Sequence, residues 1–264
     1  MSNHPFLDAP RPHAFAHRGG ALEAPENTLP AFDAAIALGY GYLETDIQLT
    51  RDGVLVAFHD PTLDRVTDGS GRIAELTVAE VRAADAGFRF TSDGSTGHPF
   101  RGRGVTVPTL EELLLRWPEA RVNVDPKSDA CVEPLVQLIL RLDATGRVCI
   151  GSFFDRRITR VRALSGGRIC TSMGSVAVAA AWAASRAGYM PRLNAACIQV
   201  PVRSRGVRIV DAAFIRAAHR ARLLVHVWTV NTTAEMEALL DLGVDGVMTD
   251  RPSLLRSLLQ QRVG

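Results

Sequence analysis

Short β-rich runs alternate with longer amphipathic stretches through most of the chain, and this alternation limits the choice of fold more than any other feature. Eight runs have the length and composition of strands, at residues 14–17, 42–49, 121–125, 148–152, 168–171, 196–200, 224–230 and 246–249. Apolar residues with helical spacing lie between them, at residues 29–38, 131–145, 158–164, 211–221 and 234–242. Repeated strand–helix units predict a parallel sheet covered by helices.

Eight such units favour closure into a barrel. We predict an α/β fold in which a single (β/α)8 TIM barrel spans residues 1–264 as one catalytic domain, a common length for this fold. An open, doubly wound sheet is the alternative, but no GxGxxG or GxxxxGK[ST] phosphate loop follows the first strand. The interval 60–107 is too long for an ordinary loop, so we predict an inserted lobe there, after strand two and beside the barrel mouth.

Composition excludes several classes of protein. The formal net charge is +2, and no basic run suggests a nucleic-acid partner. No window of about 18 consecutive apolar residues is present, so we expect no stable membrane insertion. The first residues lack a basic stretch followed by an apolar core, which predicts a cytoplasmic protein without a signal peptide. Oligomeric state stays open, because exposed helix faces and dimer faces look alike in one sequence.

The four cysteines, Cys131, Cys149, Cys170 and Cys197, have neither zinc-finger spacing nor a CxxC pair. Three of them sit in short apolar runs, where a buried thiol behaves as a small hydrophobic group. We therefore expect free thiols that fill the core, as in a reducing compartment.

Two acids stand two residues apart on the predicted second strand. Glu44 and Asp46 point to the same face of that strand, toward the barrel axis. Two buried like charges repel each other, and a divalent cation offsets that cost. Oxygen-only ligands favour a hard cation, Ca2+ or Mg2+.

Two histidines follow strand ends, where barrel enzymes place their catalytic groups. His17 ends strand one, and His59 follows strand two after a short turn. Imidazoles titrate near neutral pH, so we predict that the two act as acid and base in one turnover. The other histidines are interpreted as structural.

Arg18 and Lys127 supply positive charge at the same rim. Lys127 is the one lysine among the 30 Lys and Arg residues, which suggests that its position needs a compact ammonium. Fixed cations stabilise the charge that grows on phosphate oxygens during displacement. We predict that both residues bind phosphate, although either could be an ion-pair partner of the acids.

Taken in order, the motifs resemble the glycerophosphodiester phosphodiesterase family over nearly the whole chain. The first motifs are HRGG at residues 17–20, PENT at 25–28, AF at 31–32, ETD at 44–46, TRDG at 50–53, HD at 59–60, LDR at 63–65 and TDG at 67–69. The later ones are PTLEE at 108–112, NVDPK at 123–127, WTVN at 228–231, GVDG at 243–246 and TDRP at 249–252. Each motif is moderately specific, and their shared order is highly specific.

The resemblance implies hydrolysis of a small-molecule glycerophosphodiester to an alcohol and glycerol 3-phosphate, in lipid and glycerol metabolism. It assigns the roles given above to the histidines, the two acids and the two cations. It also implies that Glu26 and Asn27 shape the rim around the glycerol end, and that Trp228 forms a wall against the substrate. Ordinary core packing is the alternative for Trp228.

One position departs from the family pattern. The family often has glutamate two residues before the lysine, as a third metal carboxylate, and Asp125 stands there. Its shorter side chain would need a shifted strand or a bridging water to reach the same ion. Asp125 is kept as a candidate metal ligand.

Several functional alternatives stay open at this point. The nucleophile is either water or the glycerol 2-hydroxyl of the substrate, which would give a cyclic phosphate. A lysophospholipase D would differ only in the acyl chain that the mouth accepts. A metal-dependent isomerase or aldolase has less need for paired histidines beside arginine. A catalytically silent phosphate binder is disfavoured, because Asp125 is the only altered position.

Overall fold

Parallel strands form the barrel that the sequence predicts. The computed structural model describes residues 4–92 and 96–263. Its strands are β1 (His13–His17), β2 (Tyr42–Leu49), β3 (Leu55–Ala57), β4 (Arg121–Pro126), β5 (Val148–Ile150), β6 (Cys170–Thr171), β7 (Cys197–Pro201), β8 (Arg203–Ser204), β9 (Val207–Arg208), β10 (Leu224–Trp228) and β11 (Gly246–Thr249). The barrel order is β6-β5-β4-β2-β1-β11-β10-β7. The N–H of Ala196 donates to the carbonyl of Thr171 at 3.0 Å, which links the two ends of the sheet.

Helices cover the outside of this sheet. They are α1 (Leu29–Ala37), α2 (Val78–Arg82), α3 (Leu110–Arg116), α4 (Val132–Arg141), α5 (Asp155–Ser165), α6 (Ser175–Arg186), α7 (Ala212–Arg220), α8 (Thr233–Leu242) and α9 (Pro252–Val263). The apolar periodicity located α1, α4, α5, α7 and α8, and missed α2, α3, α6 and α9. None of the helices in the described part of the chain has the length and apolar character needed to cross a membrane.

Strand β2 shows how the alternation of side chains builds two layers. Leu43 and Ile47 belong to a large apolar cluster between the sheet and the helices, in which Phe32 of α1 also packs. Glu44 and Asp46 point the other way and line the central cavity. The predicted orientation of the two acids is therefore confirmed.

The interval between β2 and α3 has a hydrophobic cluster of its own, separate from the barrel layers. Its fully buried members include Val56, Ile73 and Val81. Strand β3 pairs antiparallel with β2 and begins this interval. Residues 93–95, inside the predicted lobe, lie outside the described residues.

The barrel interior is filled at its lower end, where the parallel strands begin. Phe6 and Leu7, from the segment before β1, pack there with Phe15 and Tyr42. The hydroxyl of Tyr42 donates to the carbonyl of Phe6 at 2.7 Å. This plug fills the lower end, and the cavity lies at the other end, where the strands finish.

Candidate active site

The ends of the strands surround a cavity of about 820 Å³. Both predicted catalytic histidines line it, together with the three predicted metal carboxylates: His17, His59, Glu44, Asp46 and Asp125. Arg18, Lys127 and Trp228 line it as well. The structure therefore brings eight of the ten predicted site residues to one cavity.

Glu44 is a buried acid without a matching strong cation. Its Oε2 accepts a hydrogen bond from the backbone N–H of Arg18 at 3.0 Å and lies 3.7 Å from Nε2 of His17. Among the described residues, Glu44 forms no ion pair with lysine or arginine. Burial and the nearby charge of Asp46 raise the pKa of Glu44 to about 7, although His17 opposes the shift.

Asp46 has the opposite electrostatic environment. Lys127 Nζ lies 2.6 Å from Asp46 Oδ1. Arg18 Nε lies 2.9 Å from Asp46 Oδ2, and this second contact is an ion pair whose angles do not meet those of a hydrogen bond. Burial alone would favour the neutral acid, but these two cations outweigh it and lower the pKa of Asp46. Asp46 is therefore a carboxylate at neutral pH.

Lys127 bridges two carboxylates on neighbouring strands. Asp46 and Asp125 are register partners in β2 and β4, and the ammonium that contacts Asp46 also donates to Asp125 Oδ2 at 2.7 Å. Burial opposes the charge of Lys127, but Asp46 and Asp125 raise its pKa above the ordinary value. Burial and the proximity of Asp46 raise the pKa of Asp125. A compact ammonium fits between the two acids, as the lone lysine suggested.

His17 is held by a carboxylate that the sequence analysis did not assign. Its Nδ1 contacts Asp250 Oδ1 at 2.6 Å. Asn231 fixes Asp250 through two hydrogen bonds. Nδ2 of Asn231 donates to Oδ2 of Asp250 at 2.8 Å, and the backbone N–H of Asp250 donates to Oδ1 of Asn231 at 2.9 Å. Burial disfavours the imidazolium, but Glu44 and Asp250 outweigh this effect and raise the pKa of His17. Asp250 and Asn231 belong to two of the quoted motifs, TDRP and WTVN, and that was the available signal.

His59 has a similar partner. Its Nδ1 contacts Asp60 Oδ1 at 2.6 Å. Arg65 donates to Asp60 Oδ2 at 2.5 Å, and its other nitrogens bind both oxygens of Glu26 at 2.9 and 2.6 Å. Each histidine thus directs Nδ1 at a carboxylate, which leaves Nε2 as the nitrogen available for proton transfer.

Glu26 and Asn27 lie behind the cavity wall rather than at its surface. Glu26 accepts from Arg18 Nη1 at 3.1 Å. Asn27 donates to Asp46 Oδ2 at 3.3 Å, and its Oδ1 accepts from the hydroxyl of Thr45 at 2.8 Å. In this structure, the two residues orient Arg18 and Asp46.

Trp228 forms part of an apolar wall. Its ring meets that of Phe153 edge-on, with centroids 5.5 Å apart. Phe153 is 55% exposed although it lines the cavity. Val176, at the start of α6, adds a further exposed apolar group to the same wall.

The chemistry of the donor set suits a hard cation. Glu44, Asp46 and Asp125 offer only carboxylate oxygens, and the buried charge of Glu44 lacks a strong partner. The oxygens of these three carboxylates are not all within 4.8 Å of one another. Among the described residues, the only three candidate ligands that lie this close together are thiols. Lys127 stands between Asp46 and Asp125. Glu44 and Asp46 therefore fit the ion best, and Asp125 would join them if the ammonium moved.

Comparison with known proteins identifies the family to which the chain belongs. The model of the Glycerophosphoryl diester phosphodiesterase family matches residues 17–254. The chain is 39% identical over 256 residues to a probable glycerophosphodiester phosphodiesterase 2 of Mycobacterium tuberculosis, with 94% of this chain and 91% of the relative covered.

Solved structures share the fold. The glycerophosphoryl diester phosphodiesterase domain of an uncharacterized M. tuberculosis protein superposes with a TM-score of 0.82 at 22% identity, covering 96% of this chain and all of that domain. A phosphodiesterase of Oleispira antarctica, in complex with the product sn-glycerol-3-phosphate, gives a TM-score of 0.77 at 25% identity, covering 95% and 97% of the two chains.

Proposed function

Because the chain belongs to the glycerophosphoryl diester phosphodiesterase family and is a glycerophosphodiester phosphodiesterase, we propose that it releases glycerol 3-phosphate by metal-dependent acid–base catalysis with His17 and His59. The family and the enzyme class inferred from the motifs are confirmed. The Oleispira structure with bound sn-glycerol-3-phosphate supports this product for the present chain.

One observation carries the catalytic proposal. Two imidazoles line one cavity with two buried carboxylates, and each imidazole has its Nδ1 2.6 Å from an aspartate. A carboxylate in that position orients the ring and stabilises the imidazolium that forms during proton transfer. Two histidines held in this way suit a reaction that needs one proton removed and another delivered.

The environment of His17 favours the acid role. Burial opposes the imidazolium, but Glu44 and Asp250 raise the pKa of His17, and this favours the protonated ring that donates to the leaving alkoxide. His59 then acts as the base toward the nucleophile, which is water or the glycerol 2-hydroxyl. Arg18 and Lys127 line the same cavity and would offer fixed positive charge to the phosphate. Ca2+ or Mg2+, held by Glu44 and Asp46 and by Asp125 once the ammonium of Lys127 moves, would neutralise phosphate charge when bound.

The experiment is a coupled assay of glycerol 3-phosphate release from a panel of glycerophosphodiesters. The variants are His17→Ala and His59→Ala, and the structural histidine variant His219→Ala is the control. Loss of the acid or the base is expected to lower kcat by roughly 10²–10⁴-fold. A wild-type rate in either site variant would remove the assignment. Chelation is expected to abolish activity, and addition of Ca2+ or Mg2+ is expected to restore it. Activity that is unchanged by chelation would refute the metal requirement.

A second substrate class is favoured by the apolar wall. Phe153 and Val176 expose apolar surface beside the cavity, at 55% and 74%, and an acyl chain would cover it. Lysophospholipids are therefore the alternative to deacylated glycerophosphodiesters. Release of the headgroup alcohol from lysophospholipid vesicles, with acylated glycerol 3-phosphate as the other product, is compared with its release from glycerophosphocholine under the same conditions and separates the two.

A further inference from the structure

Three thiols meet inside the lower half of the barrel, away from the catalytic rim. Cys149, Cys170 and Cys197 lie on the neighbouring strands β5, β6 and β7 and are at most 1% exposed. Their sulfur atoms are all within 4.8 Å of one another, and those of Cys149 and Cys197 are 4.0 Å apart. Sequence spacing gave no sign of this cluster, because one helix separates each cysteine from the next.

The sulfur separations are close to those of a metal thiolate centre. Zn–S bonds of about 2.3 Å in a tetrahedron place the sulfurs about 3.8 Å apart. The pair Cys149 and Cys197 is therefore within a few tenths of an ångström of that spacing. Cys170 joins the pair inside the 4.8 Å limit. A small inward movement of the side chains would centre one ion among the three.

An unpartnered imidazole nitrogen supplies a second, independent observation. His226 on β10 is fully buried, and its Nδ1 has no hydrogen-bond partner among the described residues. Its Nε2 lies 3.2 Å from Nδ1 of His13. The ring of His226 also lies close to the thiol of Cys197.

The hydrogen-bond network sets the tautomer of His226. Nε2 of His13 faces the carbonyl of Ala9 at 3.2 Å, which can only accept, so that nitrogen carries the hydrogen. The hydroxyl of Tyr42 donates to Phe6, so toward Nε2 of His13, 3.4 Å away, it can only accept. With its hydrogen on Nε2, the neutral His13 ring accepts at Nδ1. His226 therefore donates from Nε2, and the lone pair of the neutral ring is on the unpartnered Nδ1. Such an outer partner is usual for a histidine that ligates a metal.

We propose that Cys149, Cys170 and Cys197 bind one thiophilic metal ion, Zn2+. Nδ1 of His226 becomes the fourth ligand when the ring moves toward the ion, because its nitrogens lie outside the 4.8 Å group that the three sulfurs form. Three thiolates and one imidazole form a common structural zinc set. Each thiol loses its proton on binding. The centre would keep one negative charge, and Arg162 is a nearby cation, since its Nε donates to the hydroxyl of Thr171, next to Cys170, at 2.9 Å.

The position of the centre gives it a structural role. Gln199 stands two residues after Cys197 on the same strand face and lines the catalytic cavity. It donates to Asn123 at 2.8 Å, across the cavity floor. An ion below that floor would fix β5, β6 and β7, where the barrel pairing is weakest. The site is separate from the oxygen ligands of the proposed catalytic ion.

The test uses the full chain, refolded under reducing conditions with Zn2+ or Co2+ and freed of loose metal by gel filtration. Bound Zn2+ is expected at about one ion per chain by elemental analysis. Co2+ is expected to give thiolate charge-transfer bands and intense tetrahedral d–d bands. Carboxylate ligands cannot produce the thiolate bands, so an ion at the catalytic rim is not mistaken for this one.

Matched variants locate the ligands. Cys170→Ser and Cys197→Ser are expected to abolish the thiolate bands, and His226→Asn to shift the d–d bands. Cys131→Ser is the control, since Cys131 is buried outside the cluster and contacts Ser128 at 3.1 Å. If a ligand variant fails to fold, titration of the wild type with an organomercurial is expected to release Zn2+ as three thiols react.

Three results would overturn the proposal. One is a wild-type chain that binds no zinc and shows four free thiols after denaturation, because the cysteines would then only fill the core. Another is a disulfide between Cys149 and Cys197 in the purified chain. The third is bound Co2+ that lacks thiolate bands or keeps them in both cysteine variants.

Discussion

Replacement of Asp250 by asparagine tests whether this residue orients the catalytic imidazole of His17. The change keeps the shape of the side chain and the contacts to Asn231, but removes the negative charge 2.6 Å from Nδ1 of His17. Asp250 is a carboxylate at neutral pH, because the hydrogen bond and charge of His17 outweigh burial and lower its pKa.

The size of the effect follows from the hydrogen bond that is weakened. A hydrogen bond to a charged group contributes about 1.5–3 kcal/mol, against about 0.5–1.5 kcal/mol for a neutral pair. Asp250→Asn therefore loses about 1–2 kcal/mol, and about 1.4 kcal/mol is tenfold in rate. We expect kcat to fall about 5- to 30-fold, with KM nearly unchanged because the residue does not line the cavity. Asp250→Ala removes the whole hydrogen bond to His17, so a larger fall in kcat is expected for this variant.

The assay is steady-state release of glycerol 3-phosphate, with urea unfolding measured on the same samples. Asp245→Asn is the matched control: Asp245 is 4% exposed, pairs with Arg11 and His219 at 2.7 Å, and lies at the opposite end of β11. It is expected to lose stability and keep its kcat. A folded Asp250→Asn enzyme with kcat within twofold of the wild type would refute the orienting role, as would a rise in KM alone.

Three further changes test other parts of the site and the fold. Lys127→Arg replaces a point charge by a planar fork between two acids, so kcat/KM is expected to drop at least about tenfold; unchanged kinetics would show that any cation suffices there. Phe153→Ala removes the ring that meets Trp228, so KM for lysophospholipid is expected to rise more than KM for glycerophosphocholine, and equal effects would contradict an acyl-chain wall. Asp129→Asn removes hydrogen bonds to Arg156 and the buried Arg157, which lower the pKa of Asp129 to about 2. Because that pKa lies below the unfolded value, the stabilisation by Asp129 is present above about pH 4 and is lost as the pH falls through about 2. The difference in urea midpoint between wild type and variant should therefore disappear at low pH. A difference that stays constant with pH would argue against the ion pair.

The architecture was readable from the sequence because its signals are local. Strands on the barrel wall bury both faces and appear as short apolar runs, and the predicted runs coincide with all eight barrel strands to within a few residues. Helix α6 was missed for an equally local reason: it is rich in alanine, and among its residues only Ala181 and Ser185 are buried. Without a contrast between its faces, no helical period stands out.

The candidate site divides in the same way. Glu44 and Asp46 share a face because side chains alternate along one strand, so a single motif was enough to orient them. The partners of His17 are different: Asp250 is 233 positions away in the sequence, and only closure of the barrel between β1 and β11 makes them neighbours. The placement of Asn27 behind Asp46 also depends on how the loop after β1 folds back.

The sequence by itself determined the strand–helix repeat, the inward direction of the two acids, and the histidines at strand ends, because each depends on residues within one or two turns or strand steps. Only the tertiary structure decided which carboxylate holds each imidazole, how Lys127 bridges Asp46 and Asp125, and that three distant thiols meet beside His226. These contacts join separate strands, and their geometry depends on the stagger of a closed sheet, which no short stretch of sequence encodes.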